Sequence, residues 1–146
     1  KEVINKNING SVLDFGCGYG PIGIVINKVL NLEVDMIDIN KRAIHLAKMN
    51  IKDNECKNIN VFVSDGYLNI NKKYDYIVSN PPIRIGKERL YELILKSKDY
   101  LNNNGEIYLV MRREQGAKTF IKDFNNYFDI KVLDKKKGFY IILLKS

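Results

Sequence analysis

Residues 12–23 read Val-Leu-Asp-Phe-Gly-Cys-Gly-Tyr-Gly-Pro-Ile-Gly. An apolar pair, an acid and an aromatic end abruptly in glycines at every second position, and a proline follows. Ser11–Phe15 has the apolar content of a short buried strand, and Pro21 suits the first turn of a helix, where its missing N–H costs nothing. Gly16, Gly18 and Gly20 allow positive φ and let another molecule approach the backbone closely. The stretch therefore reads as strand, glycine loop, helix, the opening unit of an α/β fold.

The rest of the chain continues the alternation. Pro21 to about Leu30 reads as a helix and Leu32–Ile39 as a strand. Asn40 is placed to cap a helix over residues 41–50, with Ala43, Leu46 and Ala47 at i, i+3, i+4 spacing. Asn60–Ser64 and Tyr74–Ser79 read as strands, and Lys87 to about Leu101 as a helix with Leu90, Leu93, Ile94 and Leu101 on one face. Residues 105–111 form a fifth strand and Ala117–Phe124 a further helix. The end differs: residues 128–133 and 139–144 flank "DKKKG", a hairpin pattern. Repeated βαβ units give right-handed crossovers and a parallel sheet, to which the hairpin adds one antiparallel strand. Ligands of such sheets bind outside the carboxyl ends of the strands. Those ends carry Gly16–Gly20, Asp38 with Ile39, Asp65, and Asn80–Ile83.

Bulk properties set the frame. With 146 residues the chain is one domain, residues 1–146, large enough for a proper core. It begins at Lys1 rather than Met, and a segment is expected to be missing upstream. Lys and Arg total 24 against 17 Asp and Glu, a net charge of +7, which favours an anionic partner such as nucleic acid. Two cysteines without metal-ligand spacing point to no metal and no disulfide framework, as in a reducing, cytoplasmic setting. No apolar run reaches membrane-spanning length, so no membrane is expected.

Asp38 follows Gly16 by 22 residues, at the end of the second strand, where a carboxylate accepts both hydroxyls of a ribose. Gly18–Gly23 also spells the dinucleotide pattern GxGxxG. Asp14 argues against that reading, because an acid beside the loop repels a pyrophosphate and suits a cationic ligand. S-adenosylmethionine, with its ammonium and sulfonium, is such a ligand. Asp14, Gly16, Cys17, Gly18, Gly20, Asp38 and Ile39 are its candidate contacts, with Asn80 at the reacting end; Asp65 is placed either to accept the adenine amino group or to cap its own loop. Cys17 has no neighbouring base and reads as a small turn residue.

Asn80-Pro81-Pro82-Ile83 closes the fourth strand. Two prolines fix an extended, carbonyl-presenting corner without N–H groups. An exocyclic aromatic amine is a weak nucleophile because its lone pair is withdrawn into the ring. Two acceptors on its N–H groups, the Asn80 side chain and a carbonyl of the corner, redirect that pair, and Ile83 offers an apolar face to the ring.

"VLDFGCGYGPIG", "NPPIRIGK" (80–87) and "MRREQGAK" (111–118), with the final "KKKGFYIILLKS", resemble the small class I methyltransferase domain of the 16S ribosomal RNA guanine-N2 methyltransferase type. The resemblance runs through almost the whole chain. It implies a Rossmann-like three-layer sandwich with a seven-stranded, mostly parallel sheet whose last strand is antiparallel. It implies that Gly16, Gly18, Gly20 and Asp38 hold S-adenosylmethionine, and that Asn80, Pro81 and Ile83 hold the target amine and base. The substrate it implies is ribosomal RNA or a small ribosomal subunit. Adenine-N6 and protein-glutamine methyltransferases usually carry Tyr or Phe where this chain has Ile83, which tilts the reading to guanine N2. Methylation of another planar amine or amide, and an idle RNA-binding copy of the fold, stay open. Arg84, Lys87, Arg112 and Arg113 are expected to form a phosphate-binding rim.

Overall fold

The computed structural model describes residues 10–81 and 86–145. Its seven strands are β1 (Ser11–Phe15), β2 (Glu33–Asp38), β3 (Ile59–Val63), β4 (Tyr74–Ser79), β5 (Leu101–Arg112), β6 (Asp129–Lys136) and β7 (Phe139–Lys145). Four helices accompany them, α1 (Pro21–Leu30), α2 (Lys41–Asp53), α3 (Lys87–Ser97) and α4 (Ala117–Phe124). The strands form one sheet in the order β3-β2-β1-β4-β5-β7-β6. Pairs among β1 to β5 are parallel, while β7 lies antiparallel between β5 and β6. The expected architecture is thus present: a seven-stranded, mostly parallel sheet covered by helices on both faces.

The layers follow from the period of two in a strand. On β1, Val12 joins a cluster with Ile24 and Ile26 of α1 and Ile44 and Ala47 of α2. Leu13 joins the opposite cluster, with Leu90, Leu93 and Ile94 of α3 and Phe120 and Phe124 of α4. A strand buried on both faces reads as a near-continuous apolar run, which β1 shows at Val12 and Leu13 and breaks at the buried Asp14. By the same alternation Asp14 falls on the α1 face and Phe15 on the α3 face, which matters for the site below.

Two sequence expectations shift. Leu101 is not on the helix: α3 ends at Ser97, a 3₁₀ turn spans Lys98–Tyr100, and Leu101 opens β5 opposite Tyr74. The buried stripe of α2 runs through Ile44 and Ala47, while Leu46 is exposed. Asn40 caps α2 as expected, its Oδ1 accepting the N–H groups of Arg42 at 2.9 Å and Ala43 at 3.2 Å. No helix among the described residues is long and apolar enough to cross a membrane.

The strand order reverses at β1, with β2 on one side and β4 on the other. Connections from β1 and β4 leave in opposite directions there and open a crevice. Ser79 Oγ donates to the Phe15 carbonyl at 2.9 Å and ties the two strand ends at its floor.

Candidate active site

A cavity of about 480 Å³ occupies that crevice, within the range of small-molecule sites. Gly16, Gly18, Asp38, Ile39, Asp65, Asn80 and Pro81 line it together with Phe15, Tyr67 and Arg89. The ends of β1, β2, β3 and β4 therefore meet in one hollow.

The glycine loop is built for backbone approach. Gly16 and Gly18 have φ of 71° and 60°, and a Cβ on either would meet nothing within 4 Å. Both thus turn an open, methyl-free backbone toward the cavity. Gly20 differs: its φ is 97° and an added Cβ would come within 3.0 Å of Met36 Cε. It serves close packing of α1 on β2, and it does not line the cavity. Cys17 is also turned away. Its N–H donates to the Ile37 carbonyl at 2.8 Å and its side chain is buried in the α1–α2 cluster. Burial first, then nearby Asp14 and Asp38, hold its thiol far above the usual range, so it is no nucleophile.

Asp38 Oδ2 accepts the Gly18 N–H at 2.8 Å and Oδ1 accepts the Asn40 N–H at 2.9 Å. Each oxygen keeps a second acceptor site, and the half-buried carboxylate borders the cavity. One residue thereby holds the loop and retains capacity for two hydroxyl groups. Ile39 beside it is 63% exposed, an apolar side chain at the cavity rim.

Asp14 stands behind the loop rather than in the cavity. It is 1% exposed, and its Oδ2 accepts the Gly23 N–H at 3.0 Å in the first turn of α1. The alternation along β1 dictates this: Asp14 shares the face of Val12, away from Phe15. Its contribution to a bound ligand is therefore through the loop and helix start that it holds. Burial pushes its carboxyl up to about 7, opposed by the Gly23 hydrogen bond and assisted by nearby Asp38. The folded protein thus keeps a proton above the usual carboxylate range that the unfolded chain has already lost. Stability must fall as pH rises toward 7 and level off above it. From pH 5 to 8 this one group costs on the order of 2 kcal/mol. Asp14→Asn, which keeps an acceptor for Gly23, flattens that slope; urea midpoints of both proteins across this range check it.

Asp65 lines the cavity but is engaged, its Oδ1 lying 3.0 Å from Arg89 Nη2 of α3. Arg89 also holds Glu92 at 2.8 Å. Asn80 is exposed and Pro81 buried, and both line the cavity. The Pro81 carbonyl accepts a hydrogen bond from Gln115 Nε2 at 3.0 Å. Arg89 and Gln115 escaped the sequence reading. Pro82, Ile83 and Arg84 lie outside the described residues. Lys87 and Gln115 border a second hollow of about 290 Å³ next to the first. Lys87 lies 3.7 Å from Asp123 and Arg112 lies 3.6 Å from Glu114, both as exposed pairs. Arg113 is exposed, its N–H donating to the Gly138 carbonyl at 2.8 Å. Among the described residues no cluster of three or more His, Cys, Asp or Glu side chains could hold a metal ion.

A family model described as "Methyltransferase small domain" matches residues 1–143. The chain belongs to that family. This methyltransferase domain depends on S-adenosylmethionine, and its cavity suits that group: methyl-free glycine backbone at Gly16 and Gly18, acceptor capacity at Asp38, and carboxylates rather than a phosphate cradle around the loop. The methyltransferase domain is 37% identical over 143 residues to the uncharacterized protein YbxB of Bacillus subtilis, covering 95% of this chain and 71% of the relative. It is 33% identical over 150 residues to ribosomal RNA small subunit methyltransferase C of Haemophilus influenzae, covering 99% of this chain and 44% of that protein. It thus spans less than half of the latter. The crystal structure of a methyltransferase from Pyrococcus furiosus matches with a TM-score of 0.82 at 21% identity, over 94% of this chain and 75% of that one. The T. thermophilus 16S rRNA N2 methyltransferase RsmC, solved with AdoMet and guanosine, matches with a TM-score of 0.79 at 19% identity, over 94% of this chain and 37% of that one. These likenesses establish the class I methyltransferase fold.

Proposed function

We propose that this methyltransferase domain modifies the exocyclic N2 amine of a guanine in ribosomal RNA, in naked form or within a small ribosomal subunit. The observation that carries the proposal is the placement of Asn80 and Pro81 in the same cavity as Gly16, Gly18 and Asp38. The rRNA methyltransferase relative supports the substrate class, and the RsmC structure with guanosine supports the base. Such a substrate also implies a cytoplasmic place of action.

Gly16, Gly18 and Asp38 would hold the cofactor, with Ile39 and Asp65 at its adenine end and Asn80 at its reactive end. Bound there, it supplies an electrophilic methyl group. Asn80 Oδ1 and the Pro81 carbonyl accept the two N–H groups of the target amine. Held so, the amine turns its lone pair out of conjugation with the ring. The C–N bond would form as the methyl–sulfur bond of the cofactor breaks and its thioether leaves. The methylated nitrogen, now cationic and acidic, then loses its proton to water. Neither acceptor therefore needs to act as a base during transfer, and the effect is preorganised electrostatics and orientation. Pro82 and Ile83 complete the motif in this reading.

The deciding experiment is transfer of labelled methyl groups to undermodified small subunits and to naked 16S rRNA, with mass mapping of the product. N2-methylguanosine is expected; label in adenine or in protein glutamine would replace the substrate. The rim is tested separately. Lys87→Glu combined with Arg112→Glu should lower RNA affinity and reduce the slope of log K against log salt by about 1–2. The melting midpoint should stay within a few degrees, because exposed ion pairs contribute little. Unchanged affinity at low salt would remove both residues from the interface.

A further inference from the structure

Gln115 ends the 3₁₀ turn Arg113–Gln115, which links β5 to α4. Its two amide atoms are both used. Oε1 accepts the Arg112 N–H at 2.7 Å, and Nε2 donates to the Pro81 carbonyl at 3.0 Å. The turn beneath it is anchored, since the Arg113 N–H donates to the Gly138 carbonyl at 2.8 Å and the Gly116 carbonyl starts α4 by accepting the Phe120 N–H at 2.9 Å. Gln115 therefore hangs from a fixed frame built by β5, the β6–β7 turn and α4, and reaches 34 residues back in sequence to the corner after β4.

The corner needs such a tie. Pro81 lacks an N–H, and so does the proline after it, so neither backbone nitrogen can anchor the segment. A carbonyl oxygen has two lone pairs. Gln115, which borders the second hollow and not the first, takes one and leaves the other for a ligand.

We propose that Gln115 is the positioning residue of this methyltransferase: it clamps the Pro81 carbonyl in the orientation that receives the substrate amine. The inference rests on the reading of Asn80 and Pro81 as the amine's acceptors. It assigns Gln115 a share of the rate although it touches neither the amine nor the methyl group.

Substitutions at Gln115 separate the clamp from the cap. Gln115→Glu keeps the acceptor for Arg112 and loses the donor to Pro81. Gln115→Lys keeps a donor and loses the acceptor, and Gln115→Leu loses both. With saturating cofactor and undermodified small subunits, single-turnover rates should fall by about ten- to a hundredfold in the Glu and Leu variants. They should fall least in the Lys variant, with cofactor affinity within twofold in all three. The reverse order, a sound Glu variant and a Lys variant as poor as Leu, would show a cap of the 3₁₀ turn only and overturn the proposal. A readout independent of substrate is hydrogen exchange of the Gln115 side-chain amide in the free wild-type protein. Slowed exchange is expected; the rate of a free glutamine would overturn the clamp whatever the substrate. Slowed exchange in a wild-type protein that methylates no RNA would preserve the clamp and overturn the RNA reading instead.

Discussion

Asn80→Ala lowers the single-turnover rate of methyl transfer to the cognate RNA by on the order of a hundredfold or more, the usual consequence of losing one preorganised polar contact at a reacting group. Cofactor affinity should change little, because the loop, Asp38 and Asp65 lie on the ends of other strands. Asn80 is exposed at the cavity edge, so truncating it opens no cavity in the core and the melting midpoint should hold. Asn80→Asp is the informative companion. It keeps the shape and the acceptor at Oδ1 while replacing the amide donor with a second, charged oxygen, and should retain more activity than the alanine variant. Rates and melting curves for both variants, on the same RNA, decide the matter. If Asn80 merely terminated β4, both substitutions would lower stability and leave the rate per folded molecule untouched.

What the sequence disclosed about this site follows the range of the interactions. The glycine loop, Asp38 and the proline corner are encoded within a few residues of a strand end, and strand ends are legible from apolar runs. The orientation of Asp14 was equally available, since it follows from alternation with Val12 and Phe15, but a motif reading treats an acid beside a glycine loop as facing the ligand. Cys17 and Gly20 lie inside the motif yet face α1 and α2, because the loop must also pack against β2. Leu101 misled for another reason. It extends the apolar face of α3, and only its pairing with Tyr74 across the sheet draws it into β5. Polar residues Asn102–Asn104, with Asn104 at φ 63°, concealed that strand start. Arg89 and Gln115 could not have been found this way. Their partners Asp65 and Pro81 are 24 and 34 residues away, and neither residue type nor spacing announces such contacts.

Asp38→Ala should abolish measurable cofactor binding in the range where the wild type saturates. Two effects add. The carboxylate offers two acceptor sites to ribose hydroxyls, and hydrogen bonds to a charged group contribute roughly 1.5–3 kcal/mol each; losing both weakens binding by on the order of a hundredfold or more. The same carboxylate holds the Gly18 and Asn40 N–H groups, so its removal also loosens the loop that must lie against the ligand. Asp38→Asn separates the two contributions. One amide oxygen can still accept a backbone N–H, but the opposite end of the group becomes a donor facing a donor, since both loop contacts require acceptors. Its affinity should fall between wild type and alanine. Calorimetry with S-adenosylmethionine and with its demethylated product measures the loss. A matched loss for both ligands is expected, because Asp38 addresses the sugar they share and not the methyl group. A loss confined to the methylated form would place Asp38 at the sulfonium and overturn the ribose assignment. Saturable binding at wild-type strength in Asp38→Ala would move the cofactor out of this cavity altogether.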